Sequence, residues 1–337
     1  MADDNQNPSP LSSEDIQHFM DHGWVKLSNC FTREQAAELQ TTLWTRLDMD
    51  PQDMSTWHTE RTNMPWHQSF PVSTFAPKAW GAILSLLGPP SLIDPSVSAW
   101  RDSFIVNLGT PAGHNVPIKP QSLSGWHVDG DFFVHYLDSP EQALLIIPLW
   151  SDIAPGGGGT MICPAAIDTV AKHLHDHPEG VSPRMTPRAA NPTFANEPGL
   201  KWFNDVAASM PDDAFVEATG VVGDVYFLHP LMLHSASNNQ IRSVRVITNP
   251  PVKIREPFCF DREDGGYSVV ERKTLRALGR ERLEGWKIEG EREGIVPERV
   301  RVQEEMKRRE KERLEREREG KGKGVSGDGG KEVVSAA

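Results

Sequence analysis

The sequence predicts a mainly β fold with flanking helices, a sandwich or barrel whose short strands build the core. Three observations predict it. A helix, a short strand and a second helix open the chain. From about residue 100, six short β-type runs follow one another between Gly, Pro, Asn and Asp. Beyond residue 265 that pattern gives way to charged, helix-forming sequence. The 337 residues suffice for one large domain.

Residues 1–10 read as a disordered leader. "LSSEDIQHFMDHG" then supplies serine caps, an acidic first turn and apolar residues at helical spacing, so a helix starts near Ser12 and stops at "HG". "WVKLSN" is a short strand, and "TREQAAELQTTLWTRL" a second helix capped by Thr32. Residues 49–75 are irregular and hold Trp57, His58, Trp66 and His67, as a lid or pocket wall would, though core packing explains the aromatics equally well. The strand runs are "SFIVNLG", "GWHVDGDFFVHYL", "ALLIIPLWSDI", "GTMICP", "GDVYFLHPLMLHSA" and "RSVRVITN". The glycines at 156–159 lack a following G-K-[ST] and read as a sharp turn between strands, not a phosphate loop. The body thus spans 11–265. Residues 266–317 form a charged helical extension, read as a solvated appendage with a partner-binding helix as the alternative, and 318–337 a disordered glycine-rich tail.

Charge and composition narrow the function. The net charge of −12 opposes general nucleic-acid binding, which needs a cationic field. Three widely spaced cysteines make neither a zinc knuckle nor a disulfide framework and fit a reducing compartment. The polar "MADDNQNPSP" start and the short apolar runs carry no signal peptide or membrane span, and "VVSAA" is not a peroxisomal ending. The expectation is a cytoplasmic protein.

The chemistry begins at "GWHVDGDFF". On a strand, His127 and Asp129 share one face while Val128 takes the other, so a single strand offers an imidazole and a carboxylate. With a second histidine these form the two-His-one-carboxylate set that holds non-haem iron(II) and leaves open positions. Candidates for the third ligand are His173, His175 and His177, or His229 and His234 in "GDVYFLHPLMLHSASNN". Arg245 follows His234 by eleven residues in the next strand-like run. Buried beside a metal it would need an anion, and 2-oxoglutarate carries a carboxylate at one end and a chelating 2-oxo acid at the other.

Through the helix, "GWVKL" strand and helix, W-H-x-D, "DIAPGGGGTMICP" and "GDVYFLHPLMLHSASNN" with its following Arg, residues 11–250 resemble the phytanoyl-CoA dioxygenase-like family of Fe(II)/2-oxoglutarate-dependent oxygenases. The resemblance implies a double-stranded β-helix, or jelly-roll, with His127, Asp129 and His234 on iron and Arg245 on the distal carboxylate of 2-oxoglutarate, O2 being the other cosubstrate. Arg242 is the alternative anion partner. Ser237 stands in for a hydroxyl that the family places nearer its histidine, and Phe104 would wall the cosubstrate by family position. Pro164-Ala165-Ala166-Ile167 replaces the usual P-G-S-H, and Asp131 is an added acid. An intact Asp129 favours oxygenation over halogenation, with hydroxylation, desaturation and ring formation left open.

Phe132, Phe133, Trp57, Trp66 and Trp150 are substrate-pocket candidates, each of which core packing would also explain. His229 and His135 read as structural histidines, and His173/His177 lack the third ligand that zinc would need. The function expected is oxidation of a C–H bond in a small molecule, a specialised metabolite or amino-acid derivative being favoured. The competing readings are a silent jelly-roll adaptor that uses its charged helix, and a metal-dependent lyase or isomerase without 2-oxoglutarate.

Overall fold

Ser12 caps the first helix through its hydroxyl while Asp15 returns the bond to the Ser12 N–H, so the chain enters regular structure where its capping box begins. In this computed structural model residues 9–325 are described, except 95, 97, 98, 193, 195, 196 and 198. Only residues 9 and 10 of the expected leader therefore fall within the described residues, and the expected tail is covered as far as Val325.

The chain runs α1 (Ser13–His22), β1 (Trp24–Leu27), α2 (Arg33–Leu39), α3 (Leu43–Leu47), β2 (Arg61–Asn63), β3 (Ser69–Pro71), α4 (Val72–Phe75), α5 (Pro77–Leu87), β4 (Ala99–Arg101) and β5 (Ile105–Asn107). It continues with β6 (Leu144–Pro148), β7 (Thr160–Cys163), α6 (Ala166–Asp176), α7 (Lys201–Ala208), β8 (Val216–Ala218), β9 (Val225–Leu228), β10 (Leu233–Ala236) and β11 (Arg245–Ile247). The last elements are β12 (Pro251–Val252), α8 (Val269–Ala277) and α9 (Arg299–Val325). Among the described residues the strands form antiparallel sheets ordered β1-β9-β6-β12, β10-β7-β8, β11-β5-β2 and β3-β4. The fold is mixed α and β, with antiparallel sheets at its centre.

The apolar runs go inside. Every residue of β6 and β9 is buried, as expected for central strands covered on both faces. The expected second helix is two helices. Thr41 Oγ bonds the Glu38 carbonyl at 2.6 Å in place of a helical amide, and the chain breaks at Gln40–Thr42. "GWHVDGDFFVHYL" is an extended segment that changes partner repeatedly: His127 bridges His234, Phe133 bridges Gly294 and His135 bridges Val181. Gly130 explains the interruption, because its φ is +123° and a Cβ there would lie 2.6 Å from the Phe133 ring.

The core continues past residue 265. Val270, Thr274 and Leu275 of α8 and Leu283 beyond it are buried, and α8 packs on α1, α5 and α6. Nor is the charged extension only a solvated appendage. Residues 293–295 pair along the Phe132–Val134 segment, with Ile295 N–H on the Phe132 carbonyl (2.7 Å) and Val134 N–H on that of Glu293 (2.9 Å), while Glu289 N–H bonds the Pro178 carbonyl (2.7 Å). Helix α9 then lies on α3, sinking Glu310 to 1 % exposure. There it accepts from Arg46 Nε (2.9 Å) and pairs with His67 Nε2 (2.8 Å), while Asp102 takes Arg46 Nη1 (3.0 Å). A charged helix that docks through polar side chains such as Glu310 and Glu317 has no apolar stripe to betray this docking. Among the described residues no helix is long and apolar enough to cross a membrane.

Candidate metal centre

His127 and His234 face each other across a two-residue bridge, each N–H donating to the other's carbonyl at 2.9 Å. That backbone pairing fixes both imidazoles on one side. His127 Nδ1 bonds the Gly125 carbonyl at 2.7 Å and His234 Nδ1 that of Met232 at 3.0 Å. With Nδ1 donating, each Nε2 presents its lone pair, and each lies 3.5 Å from Asp129 Oδ1. The three ligand atoms fall within 4.8 Å of one another. Two neutral imidazole nitrogens and a carboxylate oxygen with both rings oriented from behind fit a divalent first-row metal. His234 is 7 % exposed at its side chain and His127 36 %, so the site opens on the His127 side.

The electrostatics favour a cation here. Burial opposes ionisation of Asp129, yet the facing histidines hold its carboxyl far below the ordinary range. Burial likewise disfavours a charged His127, but the Asp129 carboxylate and the Gly125 carbonyl outweigh it and raise the pKa, against a small opposing push from Arg184. Asp129 Oδ2 accepts from Asn249 Nδ2 at 3.1 Å, which fixes the carboxylate's rotation. The loop beyond it is tied down as well: Arg299 at the start of α9 grips Asp131 through Nε (2.5 Å) and Nη2 (2.7 Å).

Arg245 enters the same interior from the neighbouring sheet. It is 2 % exposed, and its Nε donates to Gly158 O (2.8 Å), Nη1 to Ile105 O (3.3 Å) and Nη2 to Thr160 Oγ (3.4 Å). Among the described residues it has no ion-pair partner, and burial pushes it down to about 9, with the Arg61 charge adding to that and Glu217 opposing. Three of its five N–H donors are engaged, leaving two for a ligand. In register, His234 is opposite Ile162 and Ala236 opposite Thr160. Thr160 and Ile162 therefore share the face that carries His234, roughly 7 Å apart along β7. The threonine that Arg245 contacts and the ligand His234 thus lie on the same face of the β10–β7 ladder.

The remaining candidates divide. Ser237 is buried, but its hydroxyl donates to the Gly159 carbonyl at 2.6 Å and braces the glycine turn beside Arg245. Phe104 is not on the Arg245 face. Arg245 pairs with Asn107 and Ile247 with Ile105, so Phe104, of opposite parity, packs its ring on Trp150 instead, with the Arg46 guanidinium 6.0 Å from it. Trp150 is buried among Phe31, Phe75 and Trp100 and donates to Thr248, a core role. Trp57 stacks on Trp44, and the Arg242 guanidinium lies 5.8 Å from the Trp57 ring. Trp66 lies between Arg101 and Lys307 at the α9 contact. Phe133 stacks on His135, and half-buried Phe132 meets the Phe133 ring edge-on at 5.0 Å.

The structural histidines are accounted for. His135 Nε2 donates to the Gly130 carbonyl (2.7 Å), and burial lowers its pKa to about 4. His229 pairs with Thr274 Oγ (2.9 Å), accepts from Leu231 N–H, and is pushed by burial to about 3. His173 bonds the Met185 carbonyl, and among the described residues no third ligand joins it and His177. Sequence reasoning missed Asn249, Asp131's partner Arg299, and Arg184. Asn249 was within reach, since it continues the period of two from Arg245 through Ile247.

No family model matches the chain, and no curated protein matches it by sequence. Among solved structures it is similar to HygX from Streptomyces hygroscopicus with nickel, 2-oxoglutarate and hygromycin B bound, at 13 % identity and a TM-score of 0.42, over 75 % of this chain and 90 % of that one. It is similar to the non-heme alpha ketoglutarate dependent carbocyclase SnoK from nogalamycin biosynthesis, at 16 %, TM-score 0.41, over 72 % and 84 %. EctD from S. alaskensis with 2-oxoglutarate and 5-hydroxyectoine gives 15 %, TM-score 0.41, over 73 % and 77 %.

Proposed function

We propose that this chain is an Fe(II)- and 2-oxoglutarate-dependent dioxygenase of jelly-roll type that oxidises, most simply by hydroxylation, a C–H bond of a small molecule. One observation carries the reading: an oriented His127–Asp129–His234 set shares its interior with a buried Arg245 that has two free donors and no carboxylate partner among the described residues. A metal would be held by His127, Asp129 and His234. When bound, iron(II) supplies the activation of O2 that the side chains cannot.

The chain's own part is orientation. Arg245 with Thr160 takes the distal carboxylate of 2-oxoglutarate and so sets the direction of its 2-oxo acid end toward the histidines. Asn249 holds Asp129, and the Gly125 and Met232 carbonyls hold the imidazoles. Arg184 is half-buried, has no ion-pair partner among the described residues, and its charge reaches His127. Its planar fork suits a substrate carboxylate, which favours an amino-acid derivative or an acidic specialised metabolite.

A lyase or isomerase without 2-oxoglutarate would leave the Arg245 cation uncompensated, and an adaptor that works through a free charged helix fits poorly with the burial of Glu310. Anaerobic addition of Fe(II) and then 2-oxoglutarate to the apo-protein tests the reading. A weak visible charge-transfer band is expected, lost in His127→Ala and weakened in Arg245→Ala. Absence of the band in folded wild-type protein would sink it; its presence directs a screen of substrates by succinate release.

A further inference from the structure

The contact that aims Arg245 is made to a turn, and the turn has its own anchor. Gly158 presents its carbonyl to Arg245 Nε at 2.8 Å from a backbone with φ +79°. A Cβ at Gly158 would come within 2.7 Å of Asn107 Nδ2 and 2.8 Å of Asn239 Cβ, so the strand of glycines is pressed against the same asparagine that faces Arg245 in register. On the other side, Glu217 of β8 reaches back along the sheet edge. Its Oε2 accepts from Gly156 N–H at 2.9 Å and its Oε1 from Gly159 N–H at 3.0 Å. One carboxylate thereby clamps both ends of the turn whose middle carbonyl holds the guanidinium.

Glu217 has no ion-pair partner among the described residues and is half-buried. Each carboxylate oxygen satisfies one glycine N–H, and because both bonds are charge-assisted and come from one rigid group, they hold the two ends of the turn at a fixed spacing. Its negative charge also acts favourably on Arg245, against the unfavourable push of Arg61.

We propose that Glu217 is a positioning residue for the distal-carboxylate site: by fixing the Gly156–Gly159 turn it sets the direction in which Arg245 offers its two remaining N–H groups. The inference rests on the reading that Arg245 binds 2-oxoglutarate. It also separates the two ends of the cosubstrate. The clamp acts on the end that meets Arg245 and leaves the metal end alone.

The test uses full-length protein loaded with Mn(II), which binds without turnover, and titration calorimetry with two probes: 2-oxoglutarate, and pyruvate, which keeps the 2-oxo acid but lacks the distal carboxylate. Glu217→Gln retains length and one acceptor; Glu217→Ala removes both. The expected result is 2-oxoglutarate affinity lowered about 5-fold in Glu217→Gln and 20-fold or more in Glu217→Ala, with Mn(II) and pyruvate affinity unchanged. In the iron enzyme, KM for 2-oxoglutarate rises while kcat at saturation stays within about twofold. Variants that lose thermal stability but bind both probes as wild type does, or that lose both probes equally, overturn the proposal in favour of a purely structural role. Should Glu217→Ala fail to fold, Glu217→Gln carries the test alone. Wild-type protein that binds pyruvate and 2-oxoglutarate equally would instead remove the premise about Arg245.

Discussion

Arg46 and Arg245 are both buried guanidinium groups, 1 % and 2 % exposed, and they answer the same electrostatic demand in opposite ways. Arg46 sits where α9 crosses α3, between the carboxylates of Asp102 and Glu310, with the Pro65 and Asp102 carbonyls taking further N–H groups. Arg245 sits between the sheets with carbonyls and a threonine hydroxyl for company. The chain compensates the first charge from its own sequence. Among the described residues the second charge meets no carboxylate, which is the contrast expected between a structural arginine and the binding role proposed for Arg245.

The largest effect should come from breaking the self-compensated side. Arg46→Ala removes the one guanidinium that Asp102 and Glu310 share, leaving Glu310 with His67 and Asp102 with the His67 and Gln68 N–H groups, and the unfolding free energy in urea should fall by about 3–5 kcal/mol. A loss under about 1 kcal/mol would mean that α9 is not held as described.

Next, Arg245→Ala should leave ligand-free stability within about 1 kcal/mol of wild type, or raise it, because a costly charge is removed. Its deficit appears only with ligand. In metal-loaded wild type, 2-oxoglutarate at a hundred times its Kd stabilises by about 2.7 kcal/mol, and that increment should vanish in the variant. Equal increments in both proteins would erase the distinction between the two arginines.

The smallest test repeats the comparison with protons. His229 and His234 lie on one short segment, yet His229 has both ring nitrogens met by the chain whereas His234 has one met and one offered outward. Burial holds His229 near 3 in the fold, against about 6.5 in the unfolded chain. Its contribution is intact above pH 6.5 and is lost progressively as pH falls toward 3, because the unfolded state takes up the proton first. That amounts to about 2 kcal/mol by pH 5. His229→Gln should show a shallower fall of stability between pH 6.5 and 5 than wild type; parallel slopes would show that His229 is already charged in the fold.

What the sequence disclosed follows the range of its signals. Caps and period-two runs are local, so α1, β1, β6, β7, β9, β10 and β11 were readable, as was the fact that His127 and Asp129 could share a face. The order of W-H-x-D, His234 and Arg245 brought the distant residues into one hypothesis. Parity could also have nominated Asn249, two steps of two beyond Arg245, whereas rejecting Phe104 needs the register between β5 and β11, which no local signal gives. Glu310 was out of reach. It is one glutamate in a segment full of them, and its partner Arg46 lies 264 residues away with no pattern linking the two. The same holds for Arg299 and Asp131, 168 residues apart.

That last separation has a consequence for how the protein comes into being. At about 5–20 residues per second, Arg299 is synthesised roughly 10–30 s after Asp131, and Glu310 later still. The metal-ligand loop therefore leaves the ribosome well before the residues that tie it down, and a newborn chain passes through an interval in which His127 and Asp129 are present but unbraced. Metal capture during that interval would be made by a looser site than the finished one.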